Sequence, residues 1–271
     1  MSDPIPADLV TALAISRQLG PFSRLTYVID AGSTNDLALT MAANGAAEGT
    51  TVLADQQQSG RGRRGRDWFS PPGAGLYLSA IVRPQAAAGS VPILTLAAGV
   101  AAARAVRSVT ALPVELKWPN DLVIGRPWRK LGGVLCETAG SGSRIDAVVV
   151  GIGINLLATA YPREIADRAT SIEAELGRSV ERAPIVVAVL ESVATVVEHF
   201  HAGRLSAICQ EWRTLAASGL GGATVRWTDR GVEHRGRAHD IDGDGALLVE
   251  SAGRVERLVA GEVRWEGLSR D

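Results

Sequence analysis

Lysine is almost absent from this chain. Of 28 lysine and arginine residues, only Lys117 and Lys130 are lysines, and both fall in one short stretch, KWPNDLVIGRPWRKLGG. A general preference for arginine explains the loss elsewhere but not why the two survivors lie together. An ammonium is a compact, flexible point charge and a guanidinium a rigid planar fork, so the two are not equivalent where one charge must be placed. Cysteine is equally scarce: Cys136 and Cys209 are too few for a disulfide framework or, by themselves, for a zinc site. The formal net charge is -1, so no global field draws the molecule to nucleic acid or to an anionic membrane, and any cationic site must be local. Long hydrophobic runs are missing too. The longest, Val91 to Ala103, contains Pro92 and Gly99 and stops at Arg104, which is short for a bilayer and suits a buried helix. The opening MSDPIPADLV has no basic start followed by an apolar stretch, so no signal peptide is expected and the cytosol is the natural assignment.

What is present is ordinary for a folded domain: 46% apolar and 21% charged residues in 271 suit one large domain with a small appendage. Pro4 to Leu19 predicts an opening helix stopped by Gly20 and Pro21. Leu25 to Asp30 predicts a strand, and Ser33 or Thr34 caps a helix toward Ala43. Thr50 to Gln56 and Leu76 to Val82 predict strands, and Pro92 to Val109 a long apolar helix with proline in its first turn. Val114 to Trp118, Leu122 to Ile124, Leu131 to Thr138 and Ile145 to Ile154 form a β series, the last two separated by a turn at 140–143. Pro184 to His201 and Leu205 to Leu215 predict helices. Ser218 to Gly222 has the composition of a linker, and after it Thr224 to Trp227, Val232 to Ile241, Ala246 to Ser251 and Val255 to Ala260 have the spacing of a small β-barrel. The fold expected is a mixed α/β (α+β) domain over 1–217 followed by a β domain over 222–271.

The sharpest local feature is GRGRRGRDW, residues 60–68. It fits the expression G-x-G-x-x-G, yet a dinucleotide fingerprint needs a helix directly after it and an acid about twenty positions on. Here Phe69, Ser70, Pro71 and Pro72 follow, and residue 85 is glutamine. The Gly-Lys-Ser/Thr ending of a Walker loop is missing as well. What such a loop offers is backbone that a ligand can approach closely, with forked donors from Arg61, Arg63, Arg64 and Arg66 suited to phosphate or carboxylate. A solvated basic loop or an arginine patch on RNA is the competing explanation. Gln56, Gln57 and Gln58, at the end of a strand, favour a ligand site.

Three further segments carry chemistry. Lys117 to Asp121 makes a turn at Pro119 and Asn120, placing the Asp121 carboxylate beside a cation-bearing strand where it can hold a metal or accept a proton. Lys130 opens a strand and is followed by Gly132 and Gly133, a charge beside closely approached backbone. Gly151 to Asn155 ends an apolar strand, where the glycines serve either packing or a ligand. Ser33, Thr34 and Asn35 by themselves suit a helix cap better than a site. His199, His201, His234 and His239 lie outside all of these, so neither a Ser-His-Asp nor a Cys-His arrangement is formed.

Taken in order, Ser33-Thr-Asn35, Gln57 with GRGRRGRDW, KWPNDL (117–122), RKLGG (129–133) and GIGIN (151–155) resemble the biotin protein ligases. The resemblance implies a catalytic domain related to class II aminoacyl-tRNA synthetases with a C-terminal SH3-like barrel. It implies that ATP and biotin, with Mg²⁺, form biotinyl-5′-adenylate, and that biotin then passes to a lysine of a biotin carboxyl carrier domain of a carboxylase. Carried onto this chain, Ser33, Thr34, Asn35 and Gln57 would hold the ureido ring. Arg61, Gly62 and Arg63 would lie in a loop closing over biotin and the adenylate, disordered without ligand, with Trp68 packed behind it. Lys130, beside Gly133, would contact the carboxylate and α-phosphate. Asn120 and Asp121 would help with Mg·ATP, Asp121 as the metal residue and as the group that orients or deprotonates the incoming amine, and Asn155 would sit on the nucleotide side. Only about twenty residues precede the first catalytic strand, too few for the winged-helix domain of the repressor members. No operator binding is therefore expected. No membrane partner is expected either, and the oligomeric state expected is a monomer or weak homodimer. Gly125 to Trp128 makes the link before Lys130 slightly longer than is usual in the family. A lipoate ligase of the same fold and a nucleic-acid-binding protein using the arginine loop are the alternatives. The first is argued against by the loop and KWPND, and the second gives Lys130 no role.

Overall fold

The computed structural model describes residues 2–16, 19–84, 91–141, 144–259 and 261–268. In chain order the elements are α1 (Ala7–Ile15), β1 (Leu25–Ala31), α2 (Thr34–Ala43), β2 (Thr51–Gln57), β3 (Gly75–Val82), α3 (Val91–Thr110), β4 (Glu115–Lys117), β5 (Asp121–Ile124), β6 (Arg129–Ser141), β7 (Arg144–Asn155), α4 (Ile172–Leu176), α5 (Arg182–His201), α6 (Leu205–Leu215), α7 (Ala217–Leu220), β8 (Thr224–Asp229), β9 (Val232–Ile241), β10 (Leu247–Ser251), β11 (Arg254–Leu258) and β12 (Val263–Trp265). The first seven strands form one sheet in the order β1-β2-β3-β7-β6-β5-β4. Only β1 and β2 run parallel, joined by α2 as crossover; the other neighbours are antiparallel.

Period-two alternation sorts the side chains of this sheet into two unlike faces. Leu76, Leu78, Ala80 and Val82 of β3, with Val148, Val150, Ile152 and Ile154 of β7, join the large core under α3 and α5. Tyr77 and Ile81 of β3 and Val149 of β7 point the other way and pack with Ala38 and Ala42 of α2 in a smaller cluster. Both long helices, Val91–Thr110 and Arg182–His201, are long and apolar enough to cross a membrane by length and composition, but they pack on each other and on the sheet. The helix expected over Pro92 to Val109 spans Val91–Thr110; Arg104, which ends the apolar run, stands on the exposed side and pairs with Glu211 of α6 at 3.3 Å.

The remaining strands form a separate antiparallel sheet, β11-β10-β9-β8-β12, the C-terminal SH3-like unit. Strand β12 went unread because three residues are too few to show alternation. The segment 218–222 is not a plain linker. Ala217–Leu220 forms a helical turn, and Gly219 is buried where a Cβ would come within 2.7 Å of Trp265 and 3.0 Å of Trp128. These two rings meet edge to face at 5.7 Å, and Trp118 Nε1 donates to Gly245 O at 3.0 Å, so indoles join the two units. The opening helix is also shorter than expected: its α-helical part is Ala7–Ile15, a 3₁₀ turn occupies Gly20–Ser23, and residues 17–18 lie outside the described residues, as do 142–143 of the expected turn and residue 260 at the end of the fourth expected β run.

Trp265 is 1% exposed, and its truncation to alanine is expected to cost about 3–5 kcal/mol, the usual range for a buried tryptophan. A urea melt reads this directly; a variant with the wild-type midpoint would show that the indole junction does not hold the β unit in place.

Candidate active site

A cleft of about 1340 Å³ opens on the sheet face that carries α2. Its floor follows from the same alternation. On β7 the residues facing it are Gly151, Gly153 and Asn155, and on β6 they are Gly133 and Leu135, with Glu137 next on the same face. The glycines are required by what lies above them. A Cβ on Gly151 would fall 2.3 Å from Asn35 Oδ1, and one on Gly153 would fall 2.7 Å from the Trp68 ring. Close approach, not easier strand packing, explains the G-I-G pattern.

At one end of the cleft polar groups close on each other. Thr34 N and Oγ1 both donate to Gln57 Oε1, at 2.9 and 3.1 Å, while Gln57 Nε2 donates to Ser70 Oγ at 2.9 Å. Ser79 Oγ lies 2.8 Å from Thr34 Oγ1 and 2.6 Å from Asn35 Oδ1, and Asn35 Nδ2 donates to Glu137 Oε2 at 2.6 Å. Ser33, Thr34 and Asn35 are each under 5% exposed. Ser33 occupies the N-cap position of α2 with extended backbone but makes no side-chain cap bond, so capping is not what its hydroxyl does. The result is a pocket lined by the uncharged donors and acceptors of Ser33, Thr34, Asn35 and Gln57, with the Glu137 carboxylate beside Asn35, suited to a neutral polar ring.

At the other end cations gather. Lys130 Nζ lies 2.6 Å from Asp121 Oδ1 and 5.4 Å from the centre of the Trp68 ring. Burial works to raise the Asp121 carboxyl, but the Lys130 ammonium, followed by Lys117 and then Arg63, outweighs it and holds the group below its ordinary value. Burial lowers the Arg63 guanidinium, with Asp121 opposing and Arg64 adding to the shift. Arg63 reaches Asn120 Oδ1 at 3.4 Å, and Asn120 Nδ2 is fixed on Val134 O at 2.7 Å. Among the described residues no group of three or more His, Cys, Asp or Glu is placed to hold a metal ion.

The glycine–arginine loop spans these two ends. Gly62 N donates to Arg66 O at 2.7 Å and Trp68 N to Gly60 O at 2.8 Å, enclosing a short turn in which Arg64 takes a left-handed φ of 59°. Its arginines reach three elements: Arg61 meets Asp36 of α2 at 2.5 Å and Glu137 of β6 at 2.9 Å, and Arg66 meets Glu262 beside β12 at 2.6 Å. Trp68 lies beneath the loop on Gly153, its buried Nε1 without a hydrogen-bond partner. Asn155 donates to Thr170 O at 2.9 Å, and Thr170 N donates to Lys130 O at 2.9 Å, so the segment 158–170 is tied to the strand that carries the lysine.

All the residues singled out in the sequence therefore line or border one cleft. Sequence reasoning missed Ser70, Ser79, Glu137, Glu262 and the segment 158–170. Ser79 gave one signal, a small polar residue inside the apolar run LYLSAIV; the others gave none.

Comparison with known proteins agrees with this geometry. Residues 26–155 match the Biotin/lipoate A/B protein ligase family, and residues 221–264 the Biotin protein ligase C terminal domain. The chain is 35% identical to the biotin--[acetyl-CoA-carboxylase] ligase of Mycobacterium tuberculosis over 89% of its own length and 88% of that protein's. It is 32% identical to the Paracoccus denitrificans protein of the same name, covering 87% and 98%. The chain belongs to the biotin protein ligases. Among solved structures of this family, the Aquifex aeolicus biotin protein ligase in complex with biotin and ATP superposes with a TM-score of 0.77 at 26% identity, covering 90% of this chain and 99% of that one. The Leishmania major enzyme in complex with biotinyl-5-AMP gives 0.61, also at 26% identity, covering 88% and 99%.

Two outcomes follow for the cleft of this ligase. Gly151→Ala should displace the Asn35 amide and raise the KM for biotin by roughly fivefold or more, since overpacking costs about 1–3 kcal/mol; an unchanged KM in a folded variant would show that Gly151 does not shape the pocket. The second concerns Asp121. Because its carboxyl is held low, its contribution to stability is present above about pH 4 and is lost as pH falls through the depressed folded value. Lys130→Met removes the nearest cation and should move the Asp121 titration upward in a carboxyl-resolved NMR experiment; an unmoved titration would show that Lys130 does not set it.

Proposed function

We propose that the neutral pocket of Ser33, Thr34, Asn35 and Gln57 receives the ureido ring of biotin, and that Lys130 and Arg63 act where its carboxylate meets ATP. The observation that carries this reading is the placement of an uncharged polar pocket and a cation cluster at opposite ends of one cleft. The enzyme is an ATP-dependent biotin ligase. A biotin carboxylate oxygen bonds to the α-phosphorus of ATP as the bond from that phosphorus to its bridging oxygen breaks. Pyrophosphate leaves with the electron pair, and biotinyl-5′-adenylate results. The ε-amine of a lysine on a biotin carboxyl carrier domain then bonds to the acyl carbon, the bond from that carbon to the bridging anhydride oxygen breaks, AMP departs with this oxygen, and the amine gives up a proton.

The first step brings two anions together, and cations aimed at the developing charge relieve the repulsion. Lys130 supplies a point charge at the junction, and Arg63 a fork from the loop. Arg61 and Gly62 close the loop over the anhydride and keep water out, with Trp68 beneath them. Gly133 leaves room beside Lys130, and Asn155 and Asn120 border the nucleotide side. Asp121, ionised at neutral pH, is the group that orients or deprotonates the incoming amine. Mg²⁺ neutralises triphosphate charge when it accompanies ATP, and Asp121 would be its protein carboxylate, a single ligand of the kind such an ion takes alongside phosphate oxygens. The catalytic unit is assigned to 1–217 and the β unit to 222–271. The protein is expected in the cytoplasm as a monomer or weak homodimer without operator binding; Arg61, Arg64 and Arg66 of the loop are directed at Asp36, Glu137 and Glu262.

Lys130→Ala should lower kcat in biotin-dependent ATP–pyrophosphate exchange by about 10²–10³, the range for losing one preorganised donor, while biotin itself still binds. Full exchange by that variant would remove the lysine from the reaction. Exchange supported by lipoate and not by biotin would overturn the substrate assignment.

A further inference from the structure

Glu137 has no part in the reaction described above, yet it stands where two parts of the cleft meet. It projects from β6 on the face of Gly133 and Leu135, with its side chain 26% exposed. One oxygen, Oε2, accepts from Asn35 Nδ2 at 2.6 Å and from Arg61 Nη2 at 2.9 Å. Asn35 belongs to the neutral pocket and Arg61 to the loop. A single carboxylate oxygen thus ties floor to lid.

Proton accounting gives the contact a direction. An ionised carboxylate only accepts, so Asn35 must turn its amide nitrogen to Glu137 and its oxygen to Ser79, 2.6 Å away. Ser79 in turn lies 2.8 Å from Thr34 Oγ1, which donates to Gln57 Oε1 at 3.1 Å. The missing Cβ of Gly151 leaves room for the amide in this orientation. Leu135 O accepts from the same Nδ2 at 3.4 Å, so Glu137, at 2.6 Å, is the nearer of two acceptors that fix which edge of Asn35 donates and, with it, the polarity that the pocket presents. Asp36 also meets Arg61, at 2.5 Å, but with a side chain 54% exposed its pull is screened by water.

We propose that Glu137 is a positioning residue that couples occupation of the ureido pocket to closure of the glycine–arginine loop. Through one oxygen it holds the Asn35 amide in its binding orientation and draws Arg61 down onto the pocket. This rests on the assignment of Asn35 to biotin.

The test uses the full chain as wild type, Glu137→Gln, Glu137→Asp and Asp36→Asn. Each is measured in biotin-dependent ATP–pyrophosphate exchange and in limited trypsin digestion, which reports on the loop because Arg61, Arg63, Arg64 and Arg66 are its cleavage sites. Glu137→Gln should raise the KM for biotin roughly tenfold, as expected on losing a hydrogen bond to a charged group, with a much smaller change in kcat. Biotin with ATP should slow tryptic cleavage of the loop in the wild type and in Asp36→Asn but not in Glu137→Gln. Glu137→Asp, which keeps the charge, should recover part of that protection. Combined with Arg61→Ala, Glu137→Gln should add little further loss of protection, since the two groups act through one contact. A Glu137→Gln protein with wild-type KM and intact protection overturns the proposal, as does equal loss of protection in the Gln and Asp variants. A wild type without biotin-dependent exchange would instead overturn the substrate assignment, so the two failures are told apart.

Discussion

The pairing of β6 with β7 places two incompatible environments back to back. One face of these strands is filled by Val134, Val148, Val150, Ile152 and Ile154 against the helices, and the other is emptied by Gly133, Gly151 and Gly153. The apolar face anchors the strands rigidly, because buried branched side chains leave little freedom to shift. The emptied face can then hold polar and charged groups at fixed separations without a side chain of its own in the way. Precision at the cleft is inherited from packing on the reverse of the sheet.

The electrostatics of the cleft are built from contacts that can be exchanged. Lys130 and Asp121 are 38% and 22% exposed, and the loop arginines are likewise partly open to solvent. Ion pairs of that exposure contribute about 0–1 kcal/mol each, so handing a cation from carboxylate to phosphate is a small cost. A fully buried pair would be different, since removing one partner typically costs about 3–5 kcal/mol. Partial exposure keeps the cations positioned in the free protein and available to a substrate anion. The loop follows the same logic, with partly exposed partners on α2, β6 and beside β12.

Much of this was legible in the sequence, for identifiable reasons. Lys117 and Lys130 stood out against an arginine background. The glycine–arginine loop, the turn at Pro119 and Asn120 and the alternation of β7 are local patterns, and local patterns determine local structure. Glu137 and Ser79 were not legible as site residues because their function is conferred by neighbours 102 and 44 positions away in the chain, Asn35 in both cases. Glu262 was hidden for the same reason, its partner Arg66 lying 196 residues earlier. The linker expected at 218–222 was misread because glycine signals a turn equally well whether it serves freedom or, as at Gly219, the approach of Trp265.

The scarcity of lysine bears on the chemistry. An arginine at position 130 would spread its charge over a planar fork matched to a carboxylate, and Asp121 lies 2.6 Å from that position to receive it. Such a bidentate pair is stronger and more rigid than the one present, and it would hold the cation on Asp121 instead of releasing it to the reacting oxygens. The ammonium is the weaker partner for Asp121 and for that reason, in the reaction proposed, the better one for a phosphate that arrives later. In a chain that otherwise uses arginine almost everywhere, a lysine at this position fits the proposed reaction, which needs a transferable charge there.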